Sequence, residues 1–261
     1  MKLLILGGTN DALCLANNLY TNGIEVVYSL AGLVRIPEVE YTVVSGGFAQ
    51  YGGLDKYLTD TAIDAVLDAT HPYANLITKT AMEVAIEKHL PYWRFDRPAW
   101  QPQASDQWFD FNDWSELCSK LADNKSIFVT TGRLDQTVLS MLSNNLCTQI
   151  LVRSAIKQSF DGCENIRWLQ AIGPFSVDDE ISLMQNYKVD VLVSKNSGGQ
   201  ATVAKLEAAR ELQIPVYMLK RPQYKPVFKS HRLVAVLSDI DACENKVLRY
   251  FNQFKLNSVI Q

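Results

Sequence analysis

The sequence predicts an α/β protein made of two Rossmann-like lobes with parallel sheets, related by internal duplication, with a ligand cleft between them. Three observations predict it. Short apolar runs alternate with helical patterns along most of the chain, as βα units do. The series is written twice, with an offset of about 125 positions between the copies. Glycine-rich or polar turns follow the apolar runs in both halves, where open α/β sheets bind their ligands.

Strands are predicted in the first half at 2–6, 25–29, 41–45, 65–70 and 91–95. Those of the second half are predicted at 126–131, 148–153, 166–171, 189–194 and 214–219. Local detail supports the duplication. Ile63-Asp64-Ala65-Val66-Leu67 is matched by Val189-Asp190-Val191-Leu192-Val193, and each string leads into a polar turn and a helix. Leu90-Pro91-Tyr92 runs on to Arg97-Pro98, as Ile214-Pro215-Val216 runs on to Arg221-Pro222. The implied division is a dinucleotide-binding domain over 1–97, a linker over 98–123 and a substrate domain over 124–261. A closing helix over 241–256 would bury Val247, Leu248, Phe251 and Phe254. The linker segment holds Trp100, Trp108 and Trp114, which could pack a domain surface or wall a flat ligand.

A net charge of -3 gives no basic bias of the kind that binds nucleic acid. No segment approaches the roughly 20 apolar residues of a membrane helix, and Met1 to Leu6 is too short for a signal-peptide core. The five cysteines are scattered without a C-x-x-C pair, which reads as reduced thiols in a cytoplasmic protein. The three histidines show no metal-ligand spacing, so no protein-bound metal is expected. Oligomeric state is left open, and a monomer is compatible with the sequence.

In the first half, Leu3 to Ala12 reads as strand, glycine turn and helix start. Gly7, Gly8, Thr9 and Asn10 stand where a dinucleotide phosphate would lie. The adjacent glycines make an incomplete G-x-G-x-x-G. The second strand ends at Ser29, before Ala31 and Gly32, without the acid that holds a ribose 2′-hydroxyl in NAD sites. Arg35 nearby suits a 2′-phosphate, or is an ordinary surface residue. Gly46-Gly47-Phe48 follows the third strand, in a loop whose backbone must bend tightly or approach a ligand. After the fourth strand come Thr70, a further cofactor candidate, then His71 and Tyr73. His71 is either a general acid or a helix-start residue packed by Pro72, and Tyr73 either stacks on ligand or packs the core.

In the second half, Lys195-Asn196-Ser197-Gly198-Gly199 follows a buried strand and opens a helix over 200–212, an arrangement that suits an anionic ligand. Arg133, Arg153 and Arg221 also follow or end strands of this half. They join Lys195, which is also a catalytic candidate beside His71, as candidates to hold a carboxylate-rich substrate, and Arg221 could instead cap its own sheet.

The strings ILGGT (5–9), SLAG (29–32), GGF (46–48), DATHPYA (68–74), RPAW (97–100), GPF (173–175), KNSGG (195–199) and AKLEAAREL (204–212) occur in order. Together they resemble the precorrin-6A reductases of cobalamin synthesis. The resemblance implies hydride transfer from NADPH, with NADH still open, to precorrin-6A or its cobalt-containing counterpart, giving the 6B form. Two departures fall in the cofactor half. Leu33 stands directly after SLAG, where the family commonly has arginine, and the family's GGFGG loop reads Gly46-Gly47-Phe48-Ala49-Gln50. None of the 11 tyrosines has lysine four positions later, which counts against short-chain dehydrogenase or epimerase chemistry. A two-lobed tetrapyrrole- or nucleotide-binding protein without catalysis is the remaining alternative.

Overall fold

The computed structural model describes residues 1–32, 36–121, 126–145, 149–156, 164–222 and 234–259, without the side chains of 145 and 254–259. The chain divides into two compact units: residues 1–98 with 222–261, and residues 99–221. The first unit begins β1 (Lys2–Leu6), α1 (Asn10–Thr21), β2 (Glu25–Leu30), β3 (Thr42–Ser45), α2 (Leu54–Asp60), β4 (Ala65–Asp68), α3 (Asn75–Glu87) and β5 (Tyr92–Phe95). The second consists of β6 (Trp108–Phe111), α4 (Trp114–Lys120), β7 (Ser126–Val129), α5 (Gln136–Asn145), β8 (Gln149–Ser154), β9 (Ile166–Gln170), α6 (Val177–Asn186), β10 (Val191–Lys195), α7 (Ala204–Glu211) and β11 (Val216–Leu219). The chain then returns to the first unit with β12 (Val234–Leu237) and α8 (Ile240–Val259).

Each unit is a six-stranded parallel sheet, and the two orders correspond strand for strand: β12-β5-β4-β1-β2-β3 and β6-β11-β10-β7-β8-β9. The four strands at the middle of the sheets, β1, β4, β7 and β10, are buried on both faces, which explains their apolar runs. Leu3 and Ile5 point into one core cluster of the first sheet and Leu4 and Leu6 into the other. In the second sheet Ile127 and Val129 face one cluster and Phe128 the other. Helix starts are fixed by side chains that accept from free N–H groups: Thr9 for α1, Asp113 for α4 and Ser176 for α6.

Three expectations need correction. The segment 98–123 is not a linker, because β6 and α4 lie within it and belong to the second unit. Residues 222–261 do not belong to the second unit either. β12 pairs with β5, and α8 buries Cys243, Val247 and Phe251 in the core of the first sheet. The sixth strands are thus exchanged: β6 follows β5 in the chain yet pairs with β11, while β12 follows β11 yet pairs with β5. The chain passes from unit to unit at Pro98 and again at Arg221-Pro222, the two matched Arg-Pro steps. Finally, the predicted helix over 200–212 is a 3-10 turn at Gln200–Thr202 followed by α7. Among the described residues no helix is long and apolar enough to cross a membrane.

Candidate functional site

In a doubly wound sheet the strand order reverses between two neighbours, and the carboxyl ends of those strands open the crevice that binds ligands. In the first unit the reversal lies between β1 and β4, and in the second between β7 and β10. The turns at these ends are Gly7–Asn10 with Asp68–Tyr73, and Thr130–Arg133 with Lys195–Gly199.

The glycine turn of the first unit is built on Tyr28 of β2. Its ring lies so close to Gly7 that a Cβ there would collide with it. The Tyr28 hydroxyl accepts the Gly8 N–H at 2.9 Å, and burial pushes its pKa up, which keeps the phenol neutral. Gly8 has φ +98°, and a Cβ on it would meet nothing within 4 Å. The two glycines therefore serve different ends: Gly7 admits the tyrosine, and Gly8 leaves an open approach above the turn. Thr9 caps α1 through Ala12 N–H and donates to the Ala69 carbonyl, both at 3.1 Å, which joins the two reversal-point turns. Asn10 opens α1, whose first N–H groups have no acceptor within the helix. Asp11 in the same turn would oppose an anion there, and Arg97 offsets it with Nε 3.2 Å from its carboxylate.

The turns after β2 and β3 are stitched to this one. Gly7 N–H donates to the Ser29 carbonyl at 2.7 Å, and Gly46 N–H to the Leu30 carbonyl at 3.2 Å. Gly46 and Gly47 have φ +93° and +78°, and Gln50 clasps the loop by donating to the carbonyls of Ser45 and Gly47. The glutamine that departs from the family pattern thus closes this loop through its side chain. Ala31 and Gly32 lie at the surface end of β2, and Arg35 lies outside the described residues. Phe48 and Tyr73 line one apolar recess of about 550 Å3 with Leu54, Ala74, Leu76 and Ile77.

After β4, Asp68 is fully buried and accepts from Thr70 N–H (3.0 Å), the Thr70 hydroxyl (2.7 Å), the Tyr92 hydroxyl (2.7 Å) and Arg94 (2.6 Å). Thr70, expected to meet cofactor, has its hydroxyl engaged in this network. Arg94 was not anticipated. Its signal in the sequence is a lone cation inside the apolar string Tyr92–Phe95. His71 Nδ1 accepts the Tyr73 N–H at 3.3 Å, which places the proton of the neutral ring on Nε2.

In the second unit, Lys195 ends β10, and burial lowers its pKa. Gly132 has φ +80° and a Cβ on it would meet nothing within 4 Å, so it occupies after β7 the place Gly8 has after β1. Arg133 beside it is exposed. Gly198 is also left-handed, at φ +71°, before Gly199. Ser197 Oγ lies 3.4 Å from Thr202 Oγ1, and Arg221 Nε donates to the Asn196 carbonyl at 2.7 Å. The Asn196 side chain faces its own unit, with Oδ1 accepting Trp100 N–H at 2.8 Å and Nδ2 donating to the Trp100 carbonyl at 3.0 Å. Arg153 likewise turns inward. It is buried, pairs with Glu180 at 2.7 Å and stacks on Phe175 at 3.8 Å, so the structure gives it a supporting place rather than an open one.

Lys205 is buried beneath this loop and donates to the Thr202 carbonyl at 2.9 Å. Burial lowers its pKa to about 7, repulsion from Arg153 acts in the same sense, and Glu180 offsets part of it. Between about pH 7 and pH 10 the unfolded chain binds this proton and the folded chain does not, so stability rises with pH across that window. Thermal melts should show that rise in the unaltered protein, and Lys205→Met should flatten it while raising stability below about pH 7. An equal rise in the variant would assign it to other groups.

The comparisons with known proteins agree with this fold. The family described as precorrin-6x reductase CbiJ/CobK matches residues 2–240. A precorrin-6A reductase of Rhodococcus erythropolis is 39% identical over 228 residues, covering 86% of this chain and 91% of the relative. A cobalt-precorrin-6A reductase of Priestia megaterium is 28% identical, covering 85% and 91%. A solved structure of CobK precorrin-6A reductase superimposes with a TM-score of 0.84 at 28% identity, covering 95% of this chain and 96% of the other. With two exchanged six-stranded sheets, a glycine turn at each reversal point and a family match along nearly its whole length, the chain belongs to the precorrin-6x reductases.

Proposed function

We propose that the protein reduces precorrin-6A, or its cobalt-containing counterpart, to the 6B form with NADPH. The first unit holds the dinucleotide and the second the macrocycle. The observation that carries the assignment is Gly8: left-handed, open above, and next to the Thr9 cap of α1, the cradle a pyrophosphate needs. The fit extends to Asn10, Ala31, Gly32, Gly46 and Gly47 on the neighbouring turns, and the nicotinamide supplies the hydride when bound.

The residues of the chain supply position and charge. Tyr28 and Thr9 fix the turn that orients the dinucleotide, and the Asp68–Arg94 pair holds the Thr70–Tyr73 segment beside it. Lys195, Arg133 and Arg221, with the backbone of Ser197–Gly199, present donors to the carboxylates of the macrocycle. His71 holds a proton at Nε2 that can balance the delivered hydride, with water as the other source.

Lys195→Ala should raise the macrocycle KM by about 10–100-fold, the worth of a hydrogen bond to a charged group. Cofactor KM should be unchanged. Following the loss of reduced nicotinamide absorbance with each macrocycle and each nucleotide tests both the reaction and the preference for NADPH. No oxidation with either substrate would return the protein to a binding role, and equal rates with NADH would remove the 2′-phosphate assignment of Arg35.

A further inference from the structure

Asn196 stands in the most distinctive string of the sequence, yet its amide is spent on the protein itself. Both polar atoms of the side chain grip the backbone of Trp100, at 2.8 and 3.0 Å. Its carbonyl accepts from Arg221 at 2.7 Å. Trp100 lies just after the point where the chain enters the second unit, and Arg221 is the last residue before it leaves. The loop that follows β10 is therefore tied to both the entry and the exit of its unit. Its far end converges on the same tryptophan, because Lys205 holds the Thr202 carbonyl at 2.9 Å and lies 5.0 Å from the Trp100 ring.

The loop makes backbone bonds of its own on either side of the left-handed Gly198, Ser197 N–H to the Lys195 carbonyl at 2.8 Å and Thr202 N–H to the Gly199 carbonyl at 3.3 Å, and none of them spans the glycine, so outside anchors set how the two parts lie. We infer that Asn196 is a positioning residue: it fixes the substrate loop 195–202 on Trp100 rather than touching substrate. This inference rests on the reading that the loop holds the macrocycle. Loss of the clamp costs substrate affinity by loosening the loop, whereas loss of a direct contact costs affinity in an unaltered loop.

Hydrogen exchange of the ligand-free full-length protein separates the two. In Asn196→Ala, exchange in the segments containing Trp100 and residues 196–202 should quicken by about tenfold or more. The macrocycle KM should rise by about 10–100-fold, as two hydrogen bonds are lost, while kcat changes by less than about threefold and the NADPH KM is unchanged. Asn196→Asp keeps an oxygen for the Trp100 N–H but loses the donor to the Trp100 carbonyl. It should fall between the unaltered protein and Asn196→Ala, and it carries the test alone if the alanine variant does not fold. A raised macrocycle KM with unaltered exchange would overturn the inference in favour of direct contact. Faster exchange with an unchanged KM, in a background where Lys195→Ala does raise it, would overturn it by showing that loop order does not matter. If neither Lys195→Ala nor Asn196→Ala moves the macrocycle KM, the substrate is not in this loop and the inference falls with that reading.

Discussion

Arg94→Met is expected to destabilise the protein by about 3–5 kcal/mol, because it leaves the Asp68 carboxylate buried without its cation. Asp68 is fully buried and Arg94 is 3% exposed, so water cannot replace the lost partner. The duplication supplies the control. Asp68 on β4 pairs in register with Arg94 on β5, and in the second unit the same register sets Ser194 against Met218. One backbone arrangement thus supports either an ion pair or a small polar residue beside an apolar one. The double variant Asp68→Ser/Arg94→Met should recover most of the stability in urea unfolding, since no unpaired charge remains. A double variant as unstable as the single one would show that Arg94 acts chiefly through contacts other than Asp68.

Substitutions at the two adjacent glycines should separate packing from cofactor binding. Gly8→Ala places its Cβ in open space, so the fold bears only the strain of a left-handed alanine, about 1–2 kcal/mol. In the proposed placement the same methyl stands where the pyrophosphate would approach, and NADPH affinity should fall by about 10–100-fold. Gly7→Ala instead drives its Cβ into the Tyr28 ring, so stability falls first and the Gly8 N–H loses its support. Calorimetric titration with NADPH, beside thermal melts, reads both effects. Unchanged NADPH affinity in a folded Gly8→Ala protein would remove the dinucleotide from this turn.

Much of this architecture was legible in the sequence because central parallel strands are apolar on both faces. The ten predicted strands all exist, in matching order. The two that were missed, β6 and β12, are edge strands of four residues each. They have a neighbour on one side only, and Phe109 and Val236 are exposed. Which sheet each one joins is a long-range choice that local periodicity does not encode, so the exchange of sixth strands, and with it the true domain boundaries, escaped. The Arg-Pro steps do carry a trace of it: as matched positions they point to duplication, and they are also the places where the chain changes unit.

The candidate site was legible as turns but not as side-chain roles. Glycine positions follow from backbone demands, and Gly8, Gly46, Gly47 and Gly198 are indeed left-handed. Polar side chains in those turns are another matter, since an asparagine, threonine or arginine at a strand end can face ligand or protein. Asn196, Thr70 and Arg153 each have a partner within the fold, supplied from 96, 2 and 27 positions away respectively. Tyr28 gave no sequence signal at all, because its hydroxyl meets Gly8 across two strands.

The most direct test of the account is the fate of the hydride. Purified protein would be given precorrin-6A, or the cobalt-containing macrocycle, with NADPH in which both hydrogens of the reactive nicotinamide carbon are deuterium, and the product analysed by mass. The expected 6B product has gained one deuterium from the nucleotide and one proton from an exchangeable source. A product formed without deuterium, or oxidation of the nucleotide with the macrocycle unchanged, would contradict it.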